Sequence, residues 1–256
     1  MKQMKMFIID GLRLVQSLHL LYGILGICLY IMATHLEDMQ GDSAVYLVTQ
    51  AFLLMGFLLT IMIAYEVFGN CFIEDFKNKY IYQIILREGN IFFYTVSKTF
   101  WIFVSAMLSV AFGILLFTCI CKIGHPWIDE FTEDFSVTPF GKLYQDGHYM
   151  TYLFLAGLQF GILAGMMAMV GSLVSLFIKN KLLAGASTVV AVFTCNLIKG
   201  IFWHEGVNMF QLFLLPFNWL YQAKGWTSHC IKLGLLFYLV GTILIYIRIK
   251  WRLRHE

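Results

Sequence analysis

The sequence predicts an all-α integral membrane protein with six transmembrane helices, and three observations carry that expectation. Of 256 residues, 60% are hydrophobic and only 13% are charged, whereas a soluble domain carries about 25% charged residues. Mean hydropathy is high, at +0.76. Apolar runs near twenty residues recur at about 14–34, 45–66, 98–121, 149–177, 182–202 and 231–251. That is the length of helix that crosses about 30 Å of hydrocarbon. A barrel would need short alternating segments instead. All six runs belong to one transmembrane domain, 1–256.

Residues 1–13 place Lys2, Lys5, Asp10 and Arg13 among Met, Phe, Ile and Leu, which suits a helix lying in the membrane interface. The first apolar run is long enough to span and lacks a clear small-residue cleavage site, so no cleavable signal is expected. A short acidic loop, "HLEDMQGDS", precedes the second run. Between the second and third lies "FIEDFKNKYIYQIILREGNIFFYTVSK", residues 72–98, charged where its neighbours are apolar. At 100° per residue Ile73, Phe76, Tyr80, Ile81 and Ile84 gather on one side. Asp75, Asn78, Lys79 and Tyr82 fall largely on the other, with Glu74 at the boundary. The segment reads either as an amphipathic interfacial helix or as a plain connecting loop.

The loop at about 122–148 is longer and acidic, whereas "KNK", residues 179–181, forces the fourth and fifth runs into an antiparallel hairpin. In the fourth run Gly157, Gly161 and Gly165 share one face and admit another helix closely. That contact is either within the chain or between subunits. Residues 207–222, "VNMFQLFLLPFNWLYQ", are apolar but too short to span and are interrupted by Pro216 and Asn218. A re-entrant or extracellular hairpin before the sixth helix is expected, packed on protein rather than lipid.

Cytoplasmic flanks hold the excess of Lys and Arg. With both termini inside, that side carries Lys2, Lys5, Arg13, Lys77, Lys79, Arg87, Lys98, Lys179, Lys181, Arg248, Lys250, Arg252 and Arg254. Only Lys122, Lys142, Lys199, Lys224 and Lys232 remain outside. The outer side is acidic, with Glu37, Asp38, Asp42, Asp129, Glu130, Glu133, Asp134, Asp146 and Glu205. Such a face attracts cationic amphipaths, or it is simply what remains when bases are kept inside. The net charge of +3 reflects topology, and no nucleic-acid partner is expected.

No catalytic constellation is visible. GxxxxGK[ST], HExxH, GxSxG and CxxC are all absent from the sequence, so no catalytic residue and no metal ligand is assigned. Cys119, Cys121 and His125 form a weak metal pattern, better read as buried or interfacial thiols. Of the six cysteines only Cys230 reads as external. Charge inside the spans looks sparse, with Glu66 and Lys199 close enough to an interface to snorkel. Gln159 and Asn196 are the notable polar residues within spans. Bonds between helices are their expected role, with substrate contact the alternative, shared with Phe213, Phe217 and Trp219 of the short hairpin.

The order of elements resembles the type-2 family of ABC transporter permeases. There an interface helix precedes six spans, a coupling helix between spans two and three meets the ATPase, and a hairpin precedes span six. The family's loop begins with a Glu, runs through an apolar stretch and ends on a Lys. Here Glu74, "IYQIILREGN" and Lys98 occupy those places, although the usual Gly-Thr pair after the Glu and the Pro near Gly89 are missing. The resemblance implies an exporter subunit in a bacterial plasma membrane, multi-pass, with both termini cytoplasmic. Its cargo would be a hydrophobic or amphipathic substrate such as an antimicrobial peptide. Residues 72–90 become the coupling-helix region, with Glu74, Asp75, Lys79, Tyr80, Arg87, Glu88 and Gly89 as coupling residues. The implied partners are an ABC ATPase and a second permease, as homodimer or sister chain, beside the lipid bilayer. No cofactor is expected on this chain, since ATP and Mg would sit on the ATPase. A non-transporting sensor or scaffold subunit is the alternative.

Overall fold

The computed structural model describes residues 2–34, 43–53, 57–88, 90–129, 132, 134–202, 213–217 and 226–255. No strand occurs among them. The helices are α1 (Lys2–Gln16), α2 (His19–Thr34), α3 (Ala44–Leu53), α4 (Phe57–Glu66), α5 (Cys71–Lys77), α6 (Tyr80–Glu88), α7 (Ile91–Gly124), α8 (Gly141–Gln145), α9 (Tyr149–Ser175), α10 (Lys181–Phe202) and α11 (Thr227–His255). Single 3₁₀ turns lie at Phe135–Val137 and Leu215–Phe217.

Three helices, α7, α9 and α11, are long and apolar enough to cross a membrane. The pair α1–α2, bent by 48°, adds a fourth if it forms one span. This supports the membrane class directly. Residues 54–56 lie between α3 and α4 and outside the described residues, so the run at 45–66 is represented by two ten-residue helices.

The long α7–α9 pair is the axis of the bundle, with α2 and α4 against α7 and α10 and α11 against α9. The three glycines of α9 set this approach. A Cβ on Gly161 would stand 2.6 Å from the Met107 carbonyl oxygen, and one on Gly165 3.0 Å from the Phe103 ring and carbonyl oxygen. At Gly157 the nearest atoms, Ile114 Cδ1 and Ala111 Cα, are 3.2 and 3.3 Å away. The small-residue face is therefore turned to α7 of the same chain. At one end of the bundle Asn180 caps α10, accepting from the Leu182 and Leu183 amides, and this fixes the hairpin with α9. At the other end Phe217 stacks on Phe52 at 4.4 Å, and the Tyr152 hydroxyl donates to the Pro216 carbonyl. Phe213 and Phe217 are fully buried, so the described part of 207–222 is packed on protein. Trp219 lies outside the described residues.

Several boundaries shift. The first break falls at Ser17–Leu18, where Leu18 adopts φ 56°, so α1 runs past residue 13 and the following helix starts at His19 rather than 14. Helix α7 begins at Ile91, seven residues before the expected span, because Asn90 caps it by accepting from the Phe92 and Phe93 amides. Cys230 lies three residues into α11, which starts at Thr227, and its side chain is wholly buried.

Candidate functional site

Segment 72–90 is not one helix. Lys79 sits at φ 54°, a left-handed conformation that ends α5 and re-aims the chain into α6. A wheel drawn continuously across Asn78 and Lys79 therefore assigns faces wrongly. Ile73, Phe72 and Ile81 point inward, whereas Lys77, Asn78, Lys79, Tyr80, Tyr82 and Gln83 are exposed. The side chains of Arg87 and Glu88, and Gly89 altogether, lie outside the described residues.

Asp75 is the main correction. Placed on the polar face by pattern, it is 1% exposed. It forms the centre of a charge cluster built by three helices that are distant in sequence. Lys98 Nζ, itself fully buried, lies 3.1 Å from Asp75 Oδ2 and 2.8 Å from Asp10 Oδ1. These are ion pairs by distance, without the approach angle of well-formed hydrogen bonds. The Tyr94 hydroxyl donates to Asp75 Oδ2 at 2.8 Å, and Ser97 Oγ donates to Asp10 Oδ2 at 2.6 Å. Arg13 Nη1 donates to Asp75 Oδ1 at 3.1 Å. The Lys98 ammonium also stands over the Phe68 and Tyr94 rings at 5.5 and 5.8 Å.

The cluster extends outward through Glu74. Its carboxylate takes Lys181 Nζ at 2.7 Å and Arg13 Nη2 at 3.6 Å, in half-exposed pairs that add little stability of their own. Asp10, Glu74 and Asp75 thus face Arg13, Lys98 and Lys181, and the charges balance. Balance matters here because an unpaired buried charge costs several kcal/mol, far more than a paired one. The Cys71 thiol is buried beside these groups, and burial pushes its pKa well above the ordinary value.

The consequence is mechanical. Helix α5 carries Asp75, α1 carries Asp10 and Arg13, and α7 carries Lys98, so the break-and-turn segment is tied to the end of a span-length helix. Trp101 strengthens the α1 contact by donating from Nε1 to the Phe7 carbonyl at 3.0 Å, and its ring occupies the space a Cβ on Gly11 would need. Glu74, Asp75 and Lys98 belong to the loop pattern, but nothing in that pattern makes them members of one buried cluster. Asp10 and Arg13 read as interface charges, and nothing in local spacing links them to residues 61 or more positions away.

The other expected site residues are dispersed. Gln159 is buried in α9 and accepts from Thr227 Oγ1 at 3.4 Å, a contact between helices. Asn196 lies in α10, with its side chain outside the description. In the acidic loop Asp134 accepts from the Ser136 amide and hydroxyl at 2.8 Å, and Asp129 accepts from Thr132 Oγ1 at 2.5 Å. Both carboxylates are used in shaping the loop. Among the described residues no group of three His, Cys, Asp or Glu converges on a metal-sized space.

Comparison with protein-family models, with curated proteins and with solved structures returned no match.

Proposed function

We propose that the chain is the six-span permease subunit of an ATP-driven exporter, with segment 71–88 receiving the stroke of a separate ATPase. The observation that supports this reading most is the buried Asp10–Lys98–Asp75 cluster. A segment that passes motion to a span must move with it, and a paired buried charge network at their junction makes the join stiff. The exposed rim of the segment, Asn78 to Tyr80 with Tyr82, offers a cation and aromatic rings to a groove on a partner. Such anchors suit docking of a short helix. Hydrolysis of ATP with Mg belongs to the partner in this reading, and the chain's own work is movement. Cargo of hydrophobic or amphipathic character, such as an antimicrobial peptide, follows from the resemblance and the acidic outer side.

The docking surface differs from the one charge pattern suggests, because Asp75 is internal. Lys79→Glu combined with Tyr80→Ala is therefore expected to reduce co-elution of the ATPase and substrate-stimulated ATP hydrolysis about tenfold or more, with the unfolding temperature unchanged. Charge reversal at a rim acts on association, whereas Asp75→Lys should lose the fold. Full co-elution and full stimulation in the Lys79/Tyr80 variant would remove the coupling role from this segment.

Topology is tested separately. In sealed cells an impermeant thiol reagent should label Asp146→Cys but neither Lys79→Cys nor Lys179→Cys. Native Cys230 and Cys71 should stay unlabelled on either side until the protein is denatured, since both are buried. Labelling at position 79 or 179 from outside overturns the orientation.

A further inference from the structure

We propose that a basic cleft between α5, the α9–α10 turn and the end of α11 binds the phosphate of an anionic phospholipid headgroup. The cleft holds about 350 Å³ and is lined by Ile73, Phe76, Lys77, Ser175, Lys179 and Arg252. Three cations meet there and none of the lining residues is a carboxylate, while the Ser175 hydroxyl donates inward to the Ser172 carbonyl. The adjoining cleft of about 330 Å³ is different, since Arg13 and Lys181 face Glu66 and Glu74 across it. The first of these linings contains no acid and the second contains two.

Among the described residues Lys77 and Lys179 enter no ion pair, and both are exposed. Arg252 is fixed in place. Its guanidinium lies 4.1 Å from the Phe76 ring centroid, and Nη1 donates to the Leu176 carbonyl at 3.4 Å. One turn earlier on the same face of α11, Arg248 stacks on Phe177 at 4.0 Å and on Trp251 at 4.4 Å, with its Nε buried and unbonded. A planar guanidinium held in place beside two exposed ammoniums is a good phosphate receptor.

Location selects the lipid. Ser175 ends α9 and Arg252 lies in the last turn of α11, and both helices are of spanning length. The cleft therefore sits where the bilayer's own phosphates lie. Phe177 and Ile178, exposed on the neighbouring turn, give an apolar shoulder that suits the glycerol and first methylenes of a lipid. Basic pockets between spanning helices attract anionic headgroups, each Lys or Arg near the surface strengthening binding by about fivefold. This inference rests on membrane insertion and is independent of the transport reading.

The test uses the full chain in nanodiscs of phosphatidylcholine containing a minority of phosphatidylglycerol, with retained lipid read by native mass spectrometry. The wild type is expected to retain phosphatidylglycerol in preference to phosphatidylcholine. Lys77→Gln with Lys179→Gln should lower that preference by about 25-fold, taking about fivefold per lysine. Lys250→Gln with Arg254→Gln, on the same end but outside the cleft, should leave it nearly intact. Inorganic phosphate is the second arm. Phosphatidylglycerol is expected to raise the unfolding temperature of the wild type and phosphate at millimolar concentration is not. Equal retention in wild type and the Lys77/Lys179 variant overturns the site. Stabilisation by phosphate to the same degree as by phosphatidylglycerol overturns the lipid assignment and makes the cleft a receptor for free anions.

Discussion

Lys98→Met is expected to destabilise the protein by about 3–5 kcal/mol, the cost of removing one partner from a buried ion pair. The damage falls mainly on Asp10. Asp75 keeps Arg13 Nη1 at 3.1 Å and the Tyr94 hydroxyl at 2.8 Å, but among the described residues Asp10 is left with Ser97 Oγ alone. A carboxylate so buried must either take up a proton or drag water into the junction of α1 and α7. The unfolding temperature in detergent should fall by about 10 °C, with loss of monodisperse protein. Adding Asp10→Asn removes the orphaned charge, and the double variant should recover more than half of the loss. A Lys98→Met protein as stable as the wild type would show that the cluster is not a stabilising unit. Recovery absent in the double variant would locate the cost in packing around Phe68 and Tyr94 instead.

Gly161→Leu should separate α7 from α9. The first carbon of the new side chain would stand 2.6 Å from the Met107 carbonyl oxygen, and a backbone atom inside a helix cannot swing aside. Overpacking of this kind typically costs about 1–3 kcal/mol and occasionally more. Alanine substitutions should follow a graded order. Gly161→Ala is the worst, Gly165→Ala is intermediate because its nearest contacts are at 3.0 Å, and Gly157→Ala is mildest because its nearest contact is the flexible end of Ile114 at 3.2 Å. Thermal unfolding of the three variants reads the order directly. Equal stability across the set would mean that the helices are not held at the distance these glycines permit.

Element positions were legible because they depend on local composition. Apolar runs fixed α7, α9 and α11, and Asn180 in "KNK" signalled the tight hairpin. The glycine face of α9 was legible for the same reason, although which helix it meets was not. The charge cluster was hidden. Helical periodicity treats a carboxylate as solvent-facing, and Asp75 obeys that rule until α1 and α7 arrive to pair it. The break at Lys79 was equally silent, since a non-glycine residue at positive φ carries no compositional mark. In the acidic loop Asp134 and Asp129 also accept hydrogen bonds from neighbouring loop groups, a use that a count of charges does not reveal.

The same cluster sets an order of events during synthesis. Asp10 leaves the ribosome 88 residues before Lys98, as the two positions show. At about 5–20 residues per second the amino-terminal helix waits roughly 4–18 s for its ammonium. Until then its acid cannot enter the bilayer cheaply and must remain at the water boundary. Helix α5 completes its contacts at the same moment, since Asp75 has Arg13 already but takes Lys98 and the Tyr94 hydroxyl from α7. Arrival of α7 closes both gaps at once, so the first hundred residues are expected to lock together late and as a unit. Chains arrested before residue 98 should therefore leave the amino-terminal helix open to protease, and chains arrested well beyond it should not.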